Sequence, residues 1–124
     1  MGTRFIASDE AHAGQPYKDA ILAMSESDTV ISRVFTGKTL RAIANDSTRG
    51  FDDKDAKPFA VQVMESVQLN RLGPIAGIID DVNPATQCLA AGQGGGGIHA
   101  VLPAGEIVRR TVVEAEAAMA RLGR

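Results

Sequence analysis

A run of glycines in the C-terminal third of the chain is the sequence feature that most constrains its structure. Residues 92–97 contain five glycines, four of them consecutive, with Gln93 as the single polar side chain. Glycine has no side chain to fill a core, and ordering it costs more backbone entropy than ordering other residues. Such a run is usually kept where the backbone approaches a ligand closely. The apolar neighbours Ala90, Ala91 and Ile98 and the amide of Gln93 favour a buried or ligand-facing loop over a flexible surface loop.

The glycine spacing does not make this loop a dinucleotide or nucleotide phosphate site. Gly92, Gly94 and Gly97 satisfy G-x-G-x-x-G, but four consecutive glycines satisfy almost any glycine pattern. The dinucleotide fingerprint requires a helix that opens directly after the glycines. Here residues 98–102 intervene before the next predicted helix. The Gly-Lys-Ser/Thr ending of a P-loop is also absent from the sequence.

Composition places the chain among globular proteins and excludes several classes of partner. Its 124 residues fit one domain, with 44% hydrophobic and 23% charged residues. The net charge of −2 gives no reason to expect nucleic acid or an anionic membrane as a partner. Cys88 is the only cysteine, so a disulfide framework and a cysteine-based metal site are excluded. We expect no membrane span or signal peptide, and a cytoplasmic location.

Hydrophobic periodicity and turn residues divide the chain into predicted elements. β-branched and aromatic residues predict strands, and i, i+3, i+4 spacing predicts helices. The predicted strands cover residues 1–7 and 29–35, and the predicted helices cover residues 16–24, 39–45, 55–72 and 103–124.

Two of the predicted helices carry an apolar stripe that we expect to face a core. In the helix over residues 55–72 the stripe consists of Ala60, Val63, Met64 and Val67. In the last helix it consists of Ile107, Val108, Thr111, Val112, Ala115, Met119 and Leu122.

The histidines and clustered acids do not form a metal or catalytic pattern. We expect His12 to be a solvated loop residue and His99 to be a partly buried, hydrogen-bonded residue. Asp52, Asp53 and Asp55 lack the central glycine and terminal glutamate of a calcium loop, so we interpret them as solvated capping residues. No catalytic residue and no metal ligand is predicted.

Three other polar residues have structural interpretations. Lys18 is expected to be a surface charge, although the Tyr17-Lys18 pair is compatible with binding an anion. Arg41 and Asn45, four residues apart on a predicted helix, are expected to brace a loop by hydrogen bonds rather than to contact a substrate.

Several motifs in order along the chain resemble the nitronate monooxygenase family, formerly called 2-nitropropane dioxygenases, which is related to the flavin-dependent enoyl-ACP reductases. The resemblance covers nearly the whole chain, and its A-G-Q segment corresponds to Ala91-Gly92-Gln93, the glycines and Ile98. The other matching motifs are Met1-Gly2-Thr3-Arg4-Phe5, Glu10, Tyr17-Lys18, Asp28-Thr29, Phe35-Thr36-Gly37, Arg41, Asn45, Pro103, Ala104, Glu106, Ile107 and Val108.

The resemblance implies an α/β fold, the C-terminal portion of a TIM (β/α)8 barrel that is mostly helical on its own. Residues 1–24 would be the last barrel strand and its helix. Residues 25–102 would be an extended and helical insert with a flavin-facing loop at 91–98, and residues 103–124 the C-terminal helix. Such barrels take about 250 residues. The chain is therefore expected to be one incomplete domain.

The resemblance also implies an FMN site and names its residues in this chain. Gly2 and Thr3 match the glycine and threonine whose backbone N–H groups help to hold the FMN phosphate. Gly92 and Gln93 match the segment that closes over the flavin. The family's catalytic histidine, which takes a proton from carbon, matches neither His12 nor His99.

The implied activity is oxidation of alkyl nitronates with O2 by bound FMN. The alternatives are a flavin-dependent enoyl-ACP reductase, which uses a nicotinamide donor, and a non-catalytic remnant or interaction module. We expect the chain to be a fragment, a split gene or a product of a misassigned start, and to be inactive alone. Apolar faces left uncovered in such a fragment would favour self-association.

Overall fold

The computed structural model describes residues 1–123, which form a mixed and mostly helical structure. The α-helices are α1 (Gly2–Ile6), α2 (Gln15–Ala23), α3 (Asp46–Arg49), α4 (Phe59–Gln68) and α5 (Ala104–Arg121). The strands are β1 (Thr29–Ser32) and β2 (Leu40–Ile43). Short 3₁₀ turns cover Asp53–Asp55, Pro74–Ala76 and Gln93–Gly97, and the last of these is called the glycine turn below.

Residues 1–7 do not form the predicted strand. They form helix α1, whose first turn is closed by a bond from the Arg4 backbone N–H to the Met1 carbonyl, 3.0 Å long. Extended pairing begins only where the helix ends, with a parallel bridge between Ser8 and Leu102. A strand needs a neighbour to satisfy its backbone groups. In the N-terminal segment the bridge at Ser8 is the first such pairing that the structure shows, so the last strand of the predicted fold is absent from residues 1–7.

The predicted helix over residues 39–45 is also wrong, because this stretch pairs as strand β2. It is antiparallel to β1, with Thr29 opposite Ile43 and Ser32 opposite Leu40. The strand predicted for residues 29–35 is confirmed over the range of β1. The turn between the strands includes Gly37 at φ 75°, a left-handed conformation that favours glycine. Cross-strand hydrogen bonds thus override a weak local preference for helix.

Residues 89–91 extend this small sheet beside β2. The Ile43 N–H donates to the Leu89 carbonyl at 3.0 Å, and the Ala91 N–H donates to the Arg41 carbonyl at 3.3 Å. Ala42 and Ala90 form the bridge between the two segments. The chain is therefore in a fixed, extended conformation immediately before the glycine turn.

Helix α2 confirms the helix predicted for residues 16–24. The buried residues form two core clusters, and α2 contributes Tyr17 and Ile21 to the first. Pro16 lies in its first turn, where a missing N–H costs nothing. The first core cluster contains residues from the end of α1, from α2 and from both sides of the glycine turn: Ala7, Tyr17, Ile21, Leu89 and Ile98.

Helix α4 turns only part of its predicted apolar stripe inward: Val63 packs against the core, whereas Met64 and Val67 are exposed. It contacts a second core cluster that consists of Val34, Phe35, Ala42, Leu72 and Cys88. Its buried residues are Gln62 and Ser66, whose side chains donate to the Val34 carbonyl at 2.7 and 3.3 Å. Met64 of the predicted stripe is 64% exposed. The need to satisfy a buried carbonyl decides the orientation of the helix, because an unpaired one is costly.

Helix α5 is present as predicted, but its apolar stripe faces solvent. Ile107 is buried, at 3% exposure. The other large apolar residues of the helix are exposed: Val108, Val112, Val113 and Met119, together with Leu122 at its C-cap. Within residues 1–123, no helix is both long and apolar enough to cross a membrane.

Candidate functional site

The glycine turn is fixed at both ends by the first core cluster. Leu89 and Ile98 flank it and are buried, at 1% and 5% exposure. Tyr17, in the first turn of α2, donates its hydroxyl hydrogen to the Ala90 carbonyl. Inside the turn, the Gly95 N–H donates to the Gly92 carbonyl at 3.0 Å. The run is therefore an ordered turn, not a flexible linker.

Two of the four predicted cofactor residues are in direct contact. The Gly92 backbone N–H donates to the hydroxyl oxygen of Thr3 at 2.9 Å, which joins α1 to the start of the glycine turn. The two residues are 89 positions apart in sequence. This contact brings the predicted phosphate-binding end and the predicted closing segment into one site.

The other two predicted cofactor residues lie exposed beside this contact. Gly2 opens α1, and a side chain added there would meet no heavy atom within 4 Å. Gln93 follows Gly92 directly, and its side chain makes no hydrogen bond within the part of the chain that the structure describes. Both residues are therefore accessible to a ligand from solvent.

The start of α1 offers free backbone donors next to Thr3. The first N–H groups of any helix have no partner inside it, and here those of Gly2 and Thr3 precede the first internal bond. The Thr3 hydroxyl accepts from Gly92, so its own hydrogen points elsewhere and can be donated to an acceptor such as a phosphate oxygen. Exposed donors of this kind suit an anion.

The acid groups in the two cores are held in their neutral forms. Burial, with the nearby Cys88 as a smaller cause, raises the pKa of Tyr17 well above its ordinary value of 10.0. Burial raises the pKa of Cys88 from 9.0 to about 12. Neither group is ionised near pH 7, so neither acts as a base there.

A guanidinium lies on the other side of the glycine turn. Arg4 donates through both terminal nitrogens to the Ala100 carbonyl, each at 2.8 Å. Burial, together with the charge of Arg110, lowers the pKa of Arg4 from 12.5. The two arginines line a cavity of about 350 Å³ between α1 and the first half of α5, together with His99 and Glu114.

The histidines and aspartates take structural positions. His12 Nε2 lies 3.1 Å from the Gly77 carbonyl, and His99 is exposed rather than partly buried as predicted. Asp52 caps the 3₁₀ turn over Asp53–Asp55 by accepting from the Lys54 N–H, which confirms its capping role, whereas Asp53 accepts from the Arg33 N–H at 2.8 Å just after β1. Across residues 1–123, no group of three or more His, Cys, Asp or Glu side chains is arranged to hold a metal ion.

Asn45 confirms the predicted bracing of a loop. Its side-chain oxygen caps α3 by accepting from the N–H groups of Ser47 and Thr48. Its side-chain nitrogen donates to the carbonyls of Pro84 and Gln87 at 3.1 and 2.8 Å. The residue lies just after a strand rather than on a helix, and it joins β2 to the chain that leads to the glycine turn.

Lys18 is the residue whose role sequence reasoning missed. It is buried at 7% exposure, and its ammonium donates to the Ser8 carbonyl at 2.6 Å. Ser8 is the position where the chain leaves α1 and pairs with Leu102. The signal was available, because Lys18 precedes the buried Ile21 by three positions and so lies on the same helical face.

Comparison with protein families and with curated proteins gives concordant matches. The family model described as nitronate monooxygenase matches residues 1–114. A probable nitronate monooxygenase of Staphylococcus saprophyticus is 46% identical over 55 residues, which are 44% of this chain and 16% of that protein. A probable nitronate monooxygenase of Staphylococcus aureus strain Newman is 44% identical over 45 residues, which are 36% of this chain and 13% of that protein.

Solved structures match almost the whole chain. FabK from Thermotoga maritima aligns with 98% of it at a TM-score of 0.77 and 24% identity, and the match covers 38% of FabK. Nitroalkane oxidase from Streptomyces ansochromogenes aligns with 99% of it at a TM-score of 0.68 and 30% identity, and the match covers 33% of that enzyme. The chain thus spans about a third of the length of the solved proteins that it matches.

Proposed function

Because this chain belongs to the nitronate monooxygenase family, we propose that it supplies one side of an FMN site in an oxidoreductase that oxidises alkyl nitronates with O2. The observation that carries the proposal is the hydrogen bond between Gly92 and Thr3. It joins the two motifs that resemble the family's phosphate-binding and flavin-closing segments. The nitronate is a small-molecule substrate, and the location is the cytoplasm.

The residues present fit FMN in a specific way. The phosphate would lie at the start of α1, where the N–H groups of Gly2 and Thr3 and the Thr3 hydroxyl are free to donate. Gly92 and Gln93 would lie against the flavin, with the amide of Gln93 free to bond with it. FMN supplies the electron-accepting chemistry, and these residues bind and orient it.

The chain contributes no acid–base residue to this chemistry in our proposal. A general base needs a pKa near the working pH. Burial raises the pKa of Tyr17 and of Cys88 away from that range. His12 is next to the Gly77 carbonyl, and neither it nor His99 matches the family's catalytic histidine. We therefore propose that residues 1–124 do not turn over a nitronate by themselves.

The principal alternative is a flavin-dependent enoyl-ACP reductase. The likeness to FabK gives this alternative some weight, because the TM-score is high over 98% of the chain. The two activities differ in electron donor, so they are separable by assay. A non-catalytic remnant or interaction module is the third possibility, and it predicts no flavin binding in any context.

Two chimeras test the proposal directly. In one, this chain replaces the matching third of the Streptomyces nitroalkane oxidase, and in the other it replaces the matching part of Thermotoga FabK. We expect the first chimera to purify with FMN and to consume O2 when a nitronate is added. We expect the second to lose nicotinamide-dependent reduction. The isolated chain is assayed beside them with added FMN.

Each outcome separates the candidate functions. Retained reduction in the FabK chimera with an inactive oxidase chimera would favour the reductase. Loss of flavin from both chimeras would favour the non-catalytic module. Nitronate-dependent O2 uptake by the isolated chain with FMN would show that a catalytic group lies within these residues after all.

A further inference from the structure

Helix α1 is tied to the chain on both sides of the glycine turn. On the leading side, the Thr3 hydroxyl accepts from the Gly92 N–H at 2.9 Å. On the trailing side, Arg4 donates twice to the Ala100 carbonyl at 2.8 Å. Two consecutive residues of one short helix therefore hold the two ends of the same turn.

The interior of the turn is held by close packing. A methyl group added at Gly95 would lie 2.8 Å from the terminal carbon of Met24 and 3.3 Å from the side-chain methyl of Thr3. One added at Gly96 would lie 2.5 Å from the backbone nitrogen of Glu26. Glycine is thus needed at Gly96, where the neighbour is backbone that cannot move aside, whereas at Gly95 the neighbour is the flexible end of Met24; neither glycine has a positive φ.

Only the outer face of the turn remains exposed. Gly95 is buried, whereas Gln93, Gly94 and Gly97 are exposed. Side chains added at Gly94 or Gly97 would meet nothing within 4 Å. The turn therefore presents Gln93 from a backbone that is packed on its inner face, which is the geometry that a preorganised ligand contact requires.

We propose that Thr3 is a positioning residue whose hydroxyl, through the Gly92 N–H, fixes the conformation in which the turn presents Gln93. In addition to its proposed place at the phosphate, Thr3 thus acts on the opposite segment of the site. This role for Thr3 rests on the proposed function only for the identity of the ligand, because the hydrogen bond between Thr3 and Gly92 is present without a ligand. Without the hydroxyl, the Gly92 N–H would lose its partner, and the start of the turn would loosen.

The test measures amide hydrogen exchange at Gly92 in the full chain, labelled uniformly with ¹⁵N so that the amides of α4 are observed as well. Thr3→Val is expected to speed exchange of the Gly92 amide about fivefold, since one lost hydrogen bond of this kind is worth about 1 kcal/mol. Thr3→Ser keeps the hydroxyl and is expected to restore exchange to within about twofold of the wild type. Thr36→Val is the matched control, because it removes a hydroxyl from an exposed turn.

A second variant covers the case in which valine disturbs the fold. Exchange in α4 reports on global folding, and if Thr3→Val changes it, Thr3→Ala is used, which removes the hydroxyl with a smaller side chain. An unprotected Gly92 amide in the wild type would overturn the proposal. So would equal exchange with and without the hydroxyl, or Thr3→Ser exchange as fast as that of Thr3→Val.

Adding FMN separates this proposal from the proposed function. If FMN slows exchange at Gly92 more than riboflavin does, the ligand lies at this site and its phosphate contributes. If FMN has no effect at Gly92 in the nitroalkane oxidase chimera, which supplies the rest of that enzyme, while Thr3→Val still speeds exchange, the flavin assignment is contradicted. The positioning role of Thr3, which is measured without flavin, would then stand by itself.

Discussion

The glycine turn and helix α5 are close neighbours in sequence, and the burial of each is the opposite of what its composition predicts. The turn has almost no side chains, yet it is packed against α1 and the end of α2. Helix α5 has the longest apolar stripe in the chain, yet Ile107 is its only buried residue within residues 1–123. Burial here follows the position of an element in the tertiary structure and not its hydrophobicity.

The difference shows that backbone without side chains can pack inside the protein and that the apolar stripe of a helix can lie exposed to solvent. In the turn, absent side chains allow backbone to approach backbone, as at Gly96 and Glu26. In α5, the stripe is available for another surface, whether a second copy of the chain or the rest of a longer family member. We propose self-association through this stripe, which is testable by sedimentation.

The largest expected effect contrasts two positions within α5. Ile107→Ala removes a buried side chain and is expected to lower the free energy of unfolding by about 3 kcal/mol. Val112→Ala, at a position of the stripe that is 51% exposed, is expected to change it by less than about 0.5 kcal/mol in dilute protein. Urea unfolding followed by circular dichroism measures both. A cost at Val112 that grows with protein concentration would support self-association through the stripe, and a cost that stays negligible at every concentration would contradict it.

The next effect contrasts two glycines of the turn. Gly96→Ala forces a methyl group against the Glu26 backbone and is expected to cost about 2 kcal/mol. Gly94→Ala points into open space and is expected to be neutral to within about 0.5 kcal/mol. Thermal unfolding of the two variants makes the comparison. Equal costs would show that the turn is not packed as described.

A smaller effect is expected when the anchor of the turn in the first core is removed. Tyr17→Phe deletes the hydroxyl that donates to the Ala90 carbonyl and is expected to cost about 1 to 2 kcal/mol, because the carbonyl loses its partner. Ser25→Ala, which removes an exposed hydroxyl, is the control. Urea unfolding is the measurement, and a neutral Tyr17→Phe would contradict this anchor.

The smallest effect on the free energy of unfolding at neutral pH is expected for a substitution of Cys88. Because this thiol is buried, its contribution to stability depends on pH. The folded pKa is raised to about 12 from 9.0, so the unfolded thiol ionises first. The stabilising contribution is therefore complete below pH 9 and falls as the pH rises toward 12. Cys88→Ala is expected to cost about 1 kcal/mol at pH 7. It is also expected to flatten the decline in stability between pH 9 and 12, measured by urea unfolding at each pH.

The sequence predicted some elements correctly because their signals are local. Pro16 and the spacing of Tyr17 and Ile21 define α2, and β-branched residues define β1. The predictions failed where a partner distant in sequence decides the structure. Residues 39–45 become a strand because they pair with β1, and α4 turns Gln62 inward because the Val34 carbonyl needs a donor.

The candidate site was predictable as a set of residues but not as an arrangement. Gly2, Thr3, Gly92 and Gln93 come from resemblance to a family, and their binding of FMN stays a prediction. Their grouping depends on a hydrogen bond across 89 positions, for which no local pattern exists. Lys18 was missed for a related reason, since its charge outweighed its helical position in the sequence interpretation.

The sequence by itself determined the family, the amphipathic character of α5 and the importance of the glycine run. These depend on residue identity and on spacing along the chain. The tertiary structure decided which faces are buried, that residues 1–7 form a helix, and that the glycine run is a packed turn held by Thr3. The physical reason is that burial and hydrogen bonding depend on which segments meet. Segments meet through contacts such as those of Tyr17 with Ala90 and Thr3 with Gly92, which the folded chain alone brings together.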